Sequence, residues 1–155
     1  MKFVKDQRGA VLAEFAVVAM PLFATFFGFV QLAQYATADL YVRHAANVAA
    51  RAAAVMSEAH NPGTHSPMND GTLKAATIAL GTWADPIKLG NSNVRLKDVG
   101  VDINDPGGAE GMTSVTVNAT YVCKIPLGKL LVCGADGKRT VSHTARFPKQ
   151  GARYL

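Results

Sequence analysis

From Ala10 to Val30 the chain reads AVLAEFAVVAMPLFATFFGFV, 21 residues in which only Glu14 and Thr25 are polar. At about 1.5 Å of rise per residue, a helix of that length covers the roughly 30 Å hydrocarbon core of a bilayer. This run constrains the fold more than any other feature. It must cross a membrane, pack among other helices, or be removed. The chain has 155 residues, which allows one modest domain beside such a segment. Apolar residues make up 49% and charged residues 17%, a low charged fraction concentrated outside the run. Glu14 therefore needs a reason. An ionised group at the centre of a bilayer costs about 2.5–3.5 kcal/mol on insertion scales, and less near one end, where Glu14 lies.

Before the run stands MKFVKDQRG, with Lys2, Lys5 and Arg8 against Asp6. Short basic flanks stay on the cytoplasmic side, so the rest of the chain is expected to cross outward. Cys123 and Cys133 would then lie where a disulfide persists. Three readings fit this start. In the first, a secretory signal ends at the small residues Ala36-Thr37-Ala38 and releases a globular domain. The apolar run is long for such signals, whose cores are about 7–15 residues. In the second, the chain is an uncut single-pass inner-membrane protein with a periplasmic interaction domain. In the third, it is cut between Gly9 and Ala10. That cut creates an α-amino group one helical turn before Glu14, able to offset the carboxylate within a chain or between neighbours.

RGAVLAEFAVVAMPLF, residues 8–23, resembles the processing site and helix start of class III signal peptides. More narrowly, it is similar to the TadE-like pseudopilins of tight-adherence (Tad/Flp, type IVc) pilus systems. Gly9 precedes the cut, Glu14 is followed by Phe15, and Pro21 comes several residues on. The similarity runs over residues 8–56, including the Ala/Arg-rich RHAANVAARAAAV. Ala10 stands where many type IV pilins carry a bulkier first residue. The resemblance implies cleavage after Gly9 by a prepilin peptidase and a role for Glu14, Phe15 and Pro21 in processing or helix docking. It implies other pilin subunits, an inner-membrane assembly platform and, before assembly, the lipid bilayer as partners. It places the precursor in a bacterial inner membrane, with its globular part periplasmic, and the product in an extracellular pilus or its base or tip. The length, well beyond that of the short major Flp pilins, implies a minor subunit.

The helical pattern continues past the apolar run. No Pro or Gly occurs from Leu32 to Ser57, and Tyr41, Ala45, Val48, Ala52 and Val55 form an apolar stripe at helical spacing. Asp39, Arg43, Asn47 and Arg51 form a polar one, with Asp39 placed to pair with Arg43. A helix from Ala10 to Ser57 would be about 72 Å long, and Pro21 would remove one of its hydrogen bonds and kink it. Seven alanines between Ala45 and Ala54 allow close backbone approach, either to the chain's own sheet or to neighbouring subunits.

HNPGTHSPMNDG, residues 60–71, reads as a loop, and a second helix is expected over Leu73–Ala84, capped by Asp70 or Thr72 and closed by Pro86. Its Leu73, Ala76, Leu80 and Trp83 share a face, with Trp83 a core anchor. Strands follow. Val94 and Leu96 have one parity and Val99, Val101 and Ile103 the other, so a bulge is expected at Asp98. After a turn at 105–111, Val115 to Ile125 alternate cleanly. A turn at 134–138 leads to Val141, His143, Ala145 and Phe147, again alternating. Three or four antiparallel strands with one apolar face would take cover under the long helix, giving a pilin-like α+β fold. The expected organisation is a cleaved leader at 1–9, a membrane or filament-core helix at 10–32, its amphipathic continuation at 33–57, and a globular domain at 58–155.

Cys123 and Cys133 bracket a short segment with a turn at Pro126-Leu127-Gly128, and are read as a disulfide or as two buried thiols. That segment offers Leu127, Leu130, Leu131 and Val132 as contact residues. His60 and His65 are read as loop residues rather than metal ligands, and Asn118-Ala-Thr as part of a strand rather than a glycosylation site. No phosphate loop, nucleophile elbow or zinc motif appears, and no basic block alternates with aromatics. No catalytic residue, cofactor, metal or nucleic-acid partner is therefore expected.

Overall fold

The computed structural model describes residues 7–56, 67–84, 95–104, 112–125, 129 and 131–148. Lys2, Lys5, Asp6, Ser57, His60, His65, Pro86, Val94, the turn at 105–111, Pro126-Leu127-Gly128 and Leu130 lie outside the described residues. The elements are helix α1 (Gln7–Met56), helix α2 (Pro67–Leu80) with a 3-10 turn (Gly81–Trp83), and strands β1 (Leu96–Asn104), β2 (Met112–Val122) and β3 (Lys138–Pro148). The expected α+β layout holds: one long apolar helix, one short helix, and a three-stranded antiparallel sheet in the order β1-β2-β3.

Alternation of side chains builds the sheet. Along β2, Thr113, Val115, Val117, Ala119 and Tyr121 are all buried, and their neighbours are half-buried on the other face. β3 pairs with β2 from Met112↔Pro148 to Val122↔Lys138 without interruption. β1 pairs with β2 from Leu96↔Tyr121 to Asn104↔Ser114, with its register slipping between Lys97 and Gly100. The slip is the bulge expected from the change of parity. Asp98 there has φ 51°, a conformation that Asp tolerates better than most residues. The solvent face is polar: Thr116 and Thr144 share a hydrogen bond, and Asn118 Nδ2 donates to Asp102 Oδ2 at 2.8 Å.

The upper half of α1 lies on the inner face of this sheet against β2 and β3, with α2 packed against it and against β1. Two layers of cover explain why the buried stripe differs from the expected one. Ala38, Val42, Ala45, Ala46, Ala49, Ala50 and Ala53 are buried in one cluster with Leu80, Leu96, Val115, Val117 and Tyr121. Val55, expected on the stripe, is 65% exposed, and Tyr41 is turned out to stack on Trp83 at 5.3 Å. Rows of alanine let α1 approach both layers closely, so most of these small residues serve the subunit's own core.

α2 also departs from expectation. It begins at Pro67 rather than Leu73, so Asp70 and Thr72 do not cap it. Proline is pre-set for a first helical turn, and Asp70 in that turn complements the helix dipole. Thr72 is buried inside the helix, and Leu73 is 37% exposed. The helix ends at Leu80, where Gly81 takes φ 54°, and Trp83 packs against the core.

Candidate assembly surface

The lower half of α1 has almost no cover from the rest of the chain. Only 11% of its most apolar window is buried, which separates it from the core helix of a soluble fold. Val11, Leu12, Phe15, Val17, Val18, Met20, Leu22 and Phe26 are all exposed, around the whole circumference. A helix apolar on every side needs hydrocarbon or other helices around it. α1 is long and apolar enough to cross a membrane, by length and composition.

The residues singled out for processing and docking sit along this half. Gly9 is in the first turns of α1, exposed, and Ala10 follows within the helix. Glu14 and Phe15 are exposed one turn later, and no other described residue of the chain pairs with Glu14. Pro21 lies within α1, where it removes a donor to the Val17 carbonyl. Around it, Ala16, Ala19, Met20, Phe23, Ala24 and Phe27 line a shallow apolar groove. Phe27 holds that groove's rim, stacked on Phe23 at 6.4 Å and edge-on to Phe26 at 5.6 Å. A groove of small residues between aromatic ridges is the shape into which another helix packs.

The apolar run ends where the globular part takes hold of it. Gln31 follows Val30 and is completely buried. Its Nε2 donates to the phenolic oxygen of Tyr121 at 2.8 Å, and its Oε1 accepts from the Ile125 amide at 3.4 Å. Tyr35 meets the Tyr121 ring edge-on at 5.6 Å, and Arg139 lies 4.7 Å over the face of Tyr35. Arg95 donates to Gln34 Oε1 at 2.6 Å. Burial raises the Tyr121 pKa above 10.0, with the nearby Arg95 opposing it. Further up, Asp39 is 2.8 Å from His143 Nε2 and 3.7 Å from Arg43, so the expected helical pair is there but the closer partner comes from β3. Arg51 stacks over Phe147.

Cys123 and Cys133 form a disulfide. Between them the chain makes a helical turn, with the Lys129 amide bonded to the Ile125 carbonyl and the Cys133 amide to that of Lys129. Val132, expected to be exposed, is buried, because its position in this turn faces the core. Leu131 is 69% exposed and reaches α1 at Gly28: a Cβ there would stand 3.0 Å from the leucine Cδ1. The turn closes at Gly137, whose φ of 64° favours glycine and over which the end of the Lys129 side chain lies. Sequence reasoning missed Gln31, Gln34, Arg95 and Tyr121 as a group. Their partners are 61 to 94 residues apart, and no local pattern links them. Among the described residues, no three His, Cys, Asp or Glu side chains gather as a metal site.

The chain is thus an α+β protein in which a sheet domain grips only the upper half of an exposed apolar helix. Residues 9–51 match the family model described as TadE-like protein, which covers the segment from Gly9 to Arg51 on which the resemblance rests. No curated protein and no solved structure matches the chain.

Proposed function

We propose that this chain is a pilin-like structural subunit of a tight-adherence pilus, a minor pilin or pseudopilin rather than an enzyme. Residues 1–9 are a leader removed by a prepilin peptidase, 10–32 the membrane and filament-core helix, 33–57 its packed continuation, and 58–155 the domain presented outward. The observation that carries this reading is the exposed apolar lower half of α1 with one carboxylate, Glu14, a turn after Ala10. Lipid serves the apolar surface before assembly, and sister helices serve it afterward. The Ala10 amine of a neighbour offsets Glu14 and so sets register, because a misplaced subunit would bury an uncompensated charge. Apolar burial supplies the affinity.

N-terminal sequencing of the chain recovered from cells tests the reading directly. A mature chain beginning at Ala10 supports it. A chain beginning at Met1 indicates the uncut anchor, and one beginning at Asp39 a secreted domain.

A further inference from the structure

The domain meets α1 below the end of its apolar run. Gly28 lies two residues before Val30, about 3 Å lower along the axis. Leu131 stands directly beside Gly28, yet is 69% exposed. A leucine at that level shares whatever medium surrounds the last turn of the apolar segment. It cannot move away from it, because the Cys123–Cys133 bond and the Gln31–Tyr121 hydrogen bond fix the turn to both helix and sheet.

The same end of the domain is basic. The register of the sheet and its contacts with α1 bring together the start of β1, the end of β2 and the start of β3. Arg95 stands just before β1 and Lys97 within it, Lys124 and Lys129 belong to the disulfide segment, and Lys138 and Arg139 to β3. Among the described residues, only Asp98 and Asp136 oppose these six at this end. Partial desolvation, then the like charges of Arg95 and Lys97, lower the Lys124 pKa from its ordinary value.

We propose that this end of the domain docks on an anionic phospholipid surface. Leu131 enters the edge of the hydrocarbon, and the lysines around it, Lys97, Lys124, Lys129 and Lys138, face lipid phosphates, while Arg95 and Arg139 stay on Gln34 and Tyr35. The inference rests on the membrane-anchored reading of α1. It adds that the domain lies down on the bilayer before assembly, and must be lifted from it to enter a filament. Lipid is favoured over a second copy because Leu131 is continuous with a helix segment whose own surroundings are hydrocarbon.

The full chain in lipid nanodiscs tests this, using quenching of single tryptophans by lipids brominated in the upper acyl chain. In a Trp83→Phe background, Phe29→Trp reports insertion of α1, Leu131→Trp reports docking, and Ile78→Trp on the exposed face of α2 is the remote control. Quenching is expected at 29 and 131 and not at 78. At 131 it should deepen when phosphatidylglycerol is added to phosphatidylcholine. Lys97→Gln, Lys124→Gln and Lys129→Gln together should reverse that gain, each lowering the docked-to-free ratio roughly fivefold. Quenching at 29 without quenching at 131 overturns the proposal and leaves the anchor intact. No quenching at 29 removes the anchor and the proposal with it. Equal quenching at 131 in neutral and anionic discs, or protection at 131 that grows only with protein concentration, also overturns it. If the Trp83→Phe chain does not fold, relaxation of the Leu131 methyls by spin-labelled lipid reads the same contact in the unsubstituted chain.

Discussion

Gln31 Nε2 donates to the hydroxyl of Tyr121 at 2.8 Å, joining the first residue after the apolar run to the end of the central strand across 90 positions. Both side chains are fully buried. The bond therefore sits at the one place where anchor and domain must hold a fixed relation. Tyr121→Phe leaves the Gln31 amide with a lost partner, and should destabilise the domain by about 1–3 kcal/mol. Gln31→Leu alone should cost a similar amount. The pair together should cost less than the sum, since the two groups that bond each other leave together and only the Ile125 amide stays without its partner. Urea unfolding of the full chain in detergent micelles, followed as a double-mutant cycle, measures this.

Tyr121 also predicts an alkaline limit. Burial raises its pKa above the ordinary 10.0 in the folded chain. As pH rises past 10, the unfolded state loses the phenolic proton first, so it binds fewer protons than the native state. Stability then falls with rising pH, beginning near 10 and continuing up to the folded pKa. Tyr121→Phe should flatten that part of the profile. Unfolding midpoints of both chains between pH 9 and 11 give the comparison.

Breaking the Cys123–Cys133 bond, ten positions apart in sequence, should cost about 2–3 kcal/mol by the loop-entropy relation for so short a loop. Cys123→Ser with Cys133→Ser should lower the thermal midpoint accordingly. Reductant should then have no further effect on the double variant, as differential scanning calorimetry would show.

Ala49 is fully buried between α1 and its cover, so Ala49→Leu should overpack the core and destabilise it by about 1–3 kcal/mol or more. Ile78→Ser, at a site 79% exposed, should leave stability nearly unchanged. Equal unfolding midpoints for these two variants would show that the alanine rows are not packed within the subunit.

Glu14→Ala should abolish incorporation into pili while leaving the unfolding midpoint of the domain unchanged, because Glu14 is exposed and far from the core. Immunoblots of sheared surface fractions against whole cells provide the readout. A mutant that assembles at normal levels would remove the docking role from Glu14.

The sequence made some of this legible and hid the rest for physical reasons. The alternation from Val115 to Tyr121 survives as burial along β2, and the parity change at Asp98 survives as a bulge. Both are period-two signals that depend only on near neighbours. The apolar stripe of α1 was misplaced because alanine carries little hydrophobic signal, while the structure uses it wherever two backbones approach. Tyr41 and Val55 are bulkier and read as core, but they stand on the faces of α1 turned away from the row of Val42, Ala45, Ala46, Ala49 and Ala53 that packs inward. Asp39 was assigned its helical neighbour Arg43. His143, 104 residues away, stands closer, and such a partner is set by sheet register rather than spacing. Gly9, Glu14 and Pro21 stood out because a charge or a helix breaker in a greasy run is conspicuous in one dimension. The groove around Pro21 needed three.

The ladder of contacts along α1 has a mechanical consequence. Gln31 with Tyr121 on β2, and Asp39 with His143 and Arg51 with Phe147 on β3, succeed one another in the same direction along the helix and along the sheet. A pull along the helix axis loads these joints side by side, in shear, instead of peeling them one after another. The head and its stem therefore move as one rigid piece under such a pull.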